Sequence, residues 1–178
     1  MRIMDIYKKF FRCAIMPGMF RFTIMRHAKS MPAAQNDFDR ALSEKGRADA
    51  RLMGTVCAQK LPVPDVLIAS SARRVRETVE LFLRGWEGAS PEVFFEDGLY
   101  TAYYEDVLRL AEERRESADH LLVCGHQPTL GELACRLCGE FSDDLSTSAV
   151  VSLLFTDELR QGAGRLDFYA SPKKVPKE

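Results

Sequence analysis

Two histidines and a cluster of arginines stand where this chain could do chemistry. Arg26 and His27 follow directly on an apolar, β-prone run, residues 22–25. Ser70-Ser71-Ala72-Arg73-Arg74-Val75-Arg76-Glu77-Thr78 follows a second apolar run, residues 65–69, and Gly125-His126-Gln127-Pro128 follows a third, residues 120–124. A neutral imidazole offers a nitrogen lone pair to an electrophile. A guanidinium offers a planar fork of donors matched to phosphate oxygens. Each group alone has an ordinary structural reading. A histidine after a strand is usually satisfied by a local hydrogen bond. Arginines clustered at 73, 74 and 76 usually form a solvated helix face, and Gly-His is a common pair. The combination is more telling, because three strand ends carry the same kind of phosphate-handling group.

The elements that must position these groups alternate. Residues 21–25 read as a strand. Residues 43–60 read as a helix, with Ser43 able to cap it and Ala48, Leu52 and Val56 recurring along one face. Residues 65–69 form a continuous apolar run, as expected of a strand covered on both faces. A helix at 72–84 ends at Gly85. A strand at 92–95 and a helix at 103–116 come next, then a buried strand at 120–124 opened by His120. A helix starts near Pro128 and runs to Cys138, and strands at 149–155 and 165–170 close the pattern. Strands alternating with helices predict a three-layer α/β/α sandwich with a mostly parallel central sheet, the last pair antiparallel at an edge. In such sheets ligands bind beyond the carboxyl ends of the strands. His27, Arg26, Arg74 and His126 are therefore expected on one rim, with the N-terminal N–H groups of the helix near Pro128 beside them.

Composition sets the outer bounds. The 178 residues, 46% hydrophobic, suit one domain of ordinary size. The net charge of −1 lacks the basic footprint of a nucleic-acid binder, so an anionic ligand must be drawn by a local cluster. Five cysteines at irregular spacing argue against a secreted disulfide framework and for a reducing, cytoplasmic setting. No apolar run approaches the ~20 residues of a membrane span. Residues 1–19 read as a non-catalytic extension, 20–172 as the domain and 173–178 as a tail; the chain is expected to be a monomer.

The motifs resemble those of the histidine phosphatase superfamily, also called phosphoglycerate-mutase-like. Arg26-His27-Ala28-Lys29-Ser30 is similar to its Arg-His-Gly signature, with Ala28 in place of glycine as in the SixA-like branch of phosphohistidine phosphatases. Residues 37–50 (DFDRALSEKGRADA) are similar to the next segment of that branch. Ser70, Arg74 and Thr78 match a Ser-Arg-Thr pattern at four-residue steps, which leaves Arg73 and Arg76 as flanking charges. VCGHQPTL at 123–130 resembles the segment with the second histidine, and 146–155 the late strand. The resemblance spans about residues 20–172.

It implies a phosphatase with His27 as nucleophile, passing through a phosphohistidine on the enzyme. Arg26, Arg74 and His126 would bind the phosphoryl oxygens, with Ser70 beside them, and no metal or other cofactor is implied. Repulsion from Arg26 and Arg74 is expected to keep the His27 ring neutral, and a bond from its other nitrogen to a backbone carbonyl would hold the tautomer. Many superfamily members carry an acid on a mid-chain loop. Here Glu96, Asp97, Glu105 and Asp106 lie in that region, but none falls in a matching pattern, so no general acid is assigned. The implied substrate is phosphohistidine on a protein. Small phosphate esters, such as a sugar phosphate or nucleotide, are the alternative, and a non-catalytic phosphate-binding relative is a third. Other chemistries fit poorly. A cysteine phosphatase needs Arg six residues after its Cys, where Cys124 has Leu130. Cys135 and Cys138 are a lone CxxC pair within a helix, and there is no GxxxxGK[ST] loop.

Overall fold

The computed structural model describes residues 18–32, 35–86, 88, 90–115, 117–141, 144–156 and 158–175. Most of the proposed extension, residues 1–17, lies outside them. Six strands form one sheet: β1 (Phe20–Arg26), β2 (Val66–Ser70), β3 (Glu92–Glu96), β4 (His120–Gly125), β5 (Val150–Phe155) and β6 (Arg165–Ala170). Their order is β3-β2-β4-β1-β5-β6. β3, β2, β4 and β1 run parallel, while β5 is antiparallel to both β1 and β6. The four α-helices are α1 (Glu44–Lys60), α2 (Arg73–Leu83), α3 (Tyr104–Arg115) and α4 (Thr129–Leu137). A short 3-10 turn, Asp97–Tyr100, follows β3.

Most buried apolar residues fall into two cores, one on each face of the sheet, with a third small cluster of Ala28, Leu42, Ala50 and Leu81. Met53 and Cys57 of α1 pack with Val75, Val79 and Phe82 of α2 against Met25, Leu67 and Leu122. Val107 and Ala111 of α3 pack with Leu130, Leu133 and Leu137 of α4 against Ile24, Ile68 and Val123. Alternate residues of each central strand thus feed opposite cores, and this accounts for the unbroken apolar runs. The outer strands differ. β3 and β6 are partly exposed along their length, as edge strands are. Residues 171–175 turn back after β6, and Val175 packs against the first of these cores.

Register brings the candidate residues together. Arg26 pairs with Gly125, and Ala69 with Cys124. His27, Ser70 and His126 each lie one residue beyond these paired positions, on a common rim. α1 is fixed beside that rim by its cap. The Ser43 side chain accepts the Gly46 N–H at 3.1 Å and donates to the Lys29 carbonyl at 3.0 Å.

Candidate active site

His27 is held by its backbone before its ring is considered. Its N–H donates to the Gly125 carbonyl at 3.0 Å, and its carbonyl accepts the Ser148 N–H at 3.2 Å. Nδ1 lies 2.7 Å from the Ala28 carbonyl oxygen. A carbonyl only accepts, so Nδ1 carries the proton and Nε2 keeps the lone pair. The ring is 8% exposed, and its pKa is lowered to about 4. Burial is the largest cause, partly opposed by the Ala28 bond, and Arg74, Arg26 and Arg40 add repulsion. The repulsion expected from the sequence is thus present but secondary to desolvation.

His126 stands beside it, with the two ring centroids 5.2 Å apart. Arg74 Nη2 lies 3.3 Å from His126 Nδ1, and His126 Nε2 lies 3.0 Å from Ser70 Oγ. Arginine only donates, so Nδ1 accepts and Nε2–H donates to the serine. Burial, then His27 and Arg74, lower the His126 pKa to about 3, so this ring is neutral as well. Ser70 is fully buried behind His126. It supports that ring rather than lining the cavity.

Arg74 is 4% exposed. Its Nη1 donates to the Asp37 carbonyl at 2.7 Å, and its Nη2 lies 3.1 Å from Asp37 Oδ2. The Tyr100 hydroxyl donates to the same carboxylate at 2.7 Å. That bond is the largest cause holding the Asp37 pKa below its ordinary value. Arg26 Nη1 donates to the Leu145 carbonyl at 2.6 Å. Thr78, the third matching position, accepts the Ala28 N–H at 3.0 Å and donates to the Arg74 carbonyl at 2.6 Å.

These groups surround a cavity of about 510 Å³, with Arg26, His27, Arg74 and His126 in its wall together with Lys29 and Arg40. Tyr100 completes another side. The Nε atoms of Arg26, Arg40 and Arg74 are buried without a hydrogen-bond partner. A cavity walled by Arg26, Lys29, Arg40 and Arg74 suits an anion. The cavity wall contains no carboxylate among the described residues.

Several expectations meet their outcome here. His27, Arg26, Arg74 and His126 converge on one cavity as anticipated. Arg73 pairs with Glu77 at 2.8 Å, and Arg76 donates to the Ser71 carbonyl at 2.9 Å over the Phe95 ring, so both are flanking charges. Glu96, Asp97, Glu105 and Asp106 stay outside the cavity wall. His120 is buried in the sheet with Nε2 2.8 Å from Thr23 Oγ1. At the helix N-terminus two donors are satisfied internally. The Leu130 N–H bonds the His126 carbonyl at 3.1 Å and the Gly131 N–H bonds Gln127 Oε1 at 2.6 Å, so those donors are already used by the chain itself. Asp37, Arg40 and Tyr100 went unremarked in the sequence as site residues, as did Lys29, Ser30, Gln127 and Thr147 of the cavity wall. Asp37 and Arg40 fall inside the segment 37–50 that the motif comparison marked, and this was the available signal. Tyr100 lies in the stretch searched for carboxylates.

Comparison with known proteins gives a consistent result. The model of the histidine phosphatase superfamily (branch 1) matches residues 22–106. The phosphohistidine phosphatase SixA of Escherichia coli (strain K12) is 30% identical over 158 residues, which is 84% of this chain and 92% of that protein. A solved structure from Agrobacterium tumefaciens, assigned as a phosphohistidine phosphatase SixA, matches with a TM-score of 0.76 at 28% identity, over 86% of this chain and 98% of that one. The protein histidine phosphatase SixA complexed with tungstate matches with a TM-score of 0.74 at 27% identity, over 86% and 98% of the two chains.

Proposed function

The chain belongs to the histidine phosphatase superfamily, and we propose that its phosphatase chemistry runs through His27 and acts on phosphohistidine carried by a protein. Nε2 of the neutral His27 ring attacks phosphorus. The bond from phosphorus to the substrate nitrogen breaks, and its electron pair leaves with the substrate imidazole. Water then attacks the phosphoryl group on His27. This releases inorganic phosphate, restores the His27 lone pair and leaves the water's proton to solvent or to phosphate. Arg26 and Arg74 hold the charge that spreads over the transferred phosphoryl oxygens. His126, backed by Ser70, accepts from Arg74 and steers it toward the phosphoryl oxygens. The relative complexed with tungstate, a tetrahedral oxyanion, supports an oxyanion in this cavity.

The observation that carries the substrate assignment is the cationic cavity wall, which among the described residues contains no carboxylate. An alkyl phosphate needs an acid to protonate its departing oxygen. A phosphohistidine does not, because its second ring nitrogen can take a proton from solvent and the group then leaves as neutral imidazole. The name of the Escherichia coli relative agrees with this reading.

The test is phosphate release from a phosphohistidine-bearing protein. Wild type is expected to release it, and His27→Ala to lose activity by about 10³-fold or more, as for loss of a nucleophile. Rapid turnover of a sugar phosphate or nucleotide, with the phosphohistidine left intact, would overturn the substrate.

A further inference from the structure

One wall of the cavity comes from the loop between β1 and α1 and not from a strand end. This loop delivers Arg40 to the cavity beside His27. The Arg40 guanidinium is tied on one side only. Nη2 lies 3.1 Å from Asp37 Oδ1, and Nη1 lies 3.5 Å from the Met31 carbonyl, at the limit of a hydrogen bond. Its Nε is buried and has no partner. Arg26 and Arg74 repeat the pattern: each spends an Nη on a backbone carbonyl and keeps a buried, unmet Nε. Three guanidinium groups thus line one cavity, and a phosphoryl group has three non-bridging oxygens to receive their donors.

Asp37 links two of the three. Its Oδ1 faces Arg40, its Oδ2 faces Arg74 and the Tyr100 hydroxyl, and its carbonyl accepts from Arg74 Nη1. We propose that Arg40 binds a non-bridging oxygen of the transferred phosphoryl group, and that Asp37 is the positioning residue that aims Arg40 and Arg74 at it. This rests on phosphoryl transfer in the cavity and is independent of the leaving group.

Orthovanadate binding to the full chain, followed by calorimetry, tests it. The proteins compared are wild type, Arg40→Ala, Arg40→Lys and Asp37→Asn. Arg40→Ala is expected to weaken vanadate binding by about tenfold or more, the scale of one charge-assisted hydrogen bond. Arg40→Lys should recover part of the loss, since an ammonium keeps the charge without the fork. Asp37→Asn is a test of sign. A carboxylate near an anion opposes it, so by charge alone its removal tightens binding. A positioning role predicts the opposite, binding weakened by about threefold or more, with KM for an aryl phosphate raised in parallel. Binding by Arg40→Ala within twofold of wild type, or tighter binding by Asp37→Asn, sinks the proposal. If Arg40→Ala does not fold, Arg40→Lys and Asp37→Asn still decide. Wild type that binds no vanadate overturns the phosphoryl-transfer reading as well. Wild type that binds vanadate but leaves phosphohistidine intact overturns only the substrate.

Discussion

The proposed nucleophile, His27, is held by residues outside the cavity wall, and Thr78 is the clearest of them. It is fully buried, and its hydroxyl joins the Ala28 N–H, one residue beyond His27, to the Arg74 carbonyl. One side chain thereby ties the backbone beside His27 to that of Arg74. Thr78→Val keeps the shape and removes both bonds, leaving the Ala28 N–H buried and unmet. The expected cost is about 1–3 kcal/mol of stability. A fall in kcat should accompany it that Thr78→Ser largely restores, measured by urea unfolding and aryl phosphate turnover. Full activity in Thr78→Val would count against this link. Thr78 was visible in the sequence through its spacing from Ser70 and Arg74, but its partner was not. The same limit applies to Asp37. A single acidic residue in a loop reads as solvated, and only the folded chain shows two arginines and a tyrosine converging on it.

At the scale of elements, the strands and helices were legible because their residues are governed by local rules. The apolar run at 65–69 becomes β2, Val66–Ser70, and the capped pattern at 43–60 becomes α1, Glu44–Lys60. The rule that ligands bind past the carboxyl ends of parallel strands then found every site residue that follows a strand directly. It could not find Arg40, because the path from β1 to α1 is set by long-range contacts. These include the bridge between Ser30 and Leu42 and the edge-to-face contact of Phe38 with Tyr100. Close approach of elements was also hidden. A Cβ on Gly46 would fall on the Lys29 carbonyl oxygen, and one on Gly54 would fall on the Phe82 carbonyl oxygen. Both obstacles are backbone, so a helix must move. Gly46→Ala and Gly54→Ala are each expected to cost about 1–3 kcal/mol in urea unfolding, the range of overpacking. Their kinetics should diverge. Gly46 abuts the segment just after His27, so its variant should lose kcat. Gly54 separates α1 from α2 away from the cavity, so its variant should keep kcat per folded molecule. Equal kcat in the two variants would contradict this assignment of contacts.

Across the whole molecule, the histidines make folding sensitive to acid. The chain has three, and all three are held below their ordinary range. His27 is lowered to about 4 and His120 and His126 to about 3, in each case chiefly by burial. Unfolded, each titrates near its ordinary value of about 6.5. Below that pH the unfolded chain binds protons that the folded chain refuses, so stability falls as pH drops from about 6.5 toward 4, and the loss levels off below the folded values. Each fully buried histidine contributes about 1.4 kcal/mol per pH unit within that window. Most carboxylates titrate lower, so the part of the curve between pH 6.5 and 5 belongs to the histidines. Urea midpoints at pH 7.5, 6 and 5 are expected to fall steadily once pH passes below 6.5, and His120→Gln should flatten the slope; a midpoint unchanged from pH 7.5 to 5 refutes the linkage. Activity inherits the same sign. With its pKa lowered to about 4, His27 stays neutral well below pH 6 in the folded chain, so acid should remove turnover by unfolding the protein before it protonates this proposed nucleophile. Turnover per folded molecule should therefore hold down to about pH 5 while the folded fraction declines, a separation that activity and circular dichroism measured on one sample resolve.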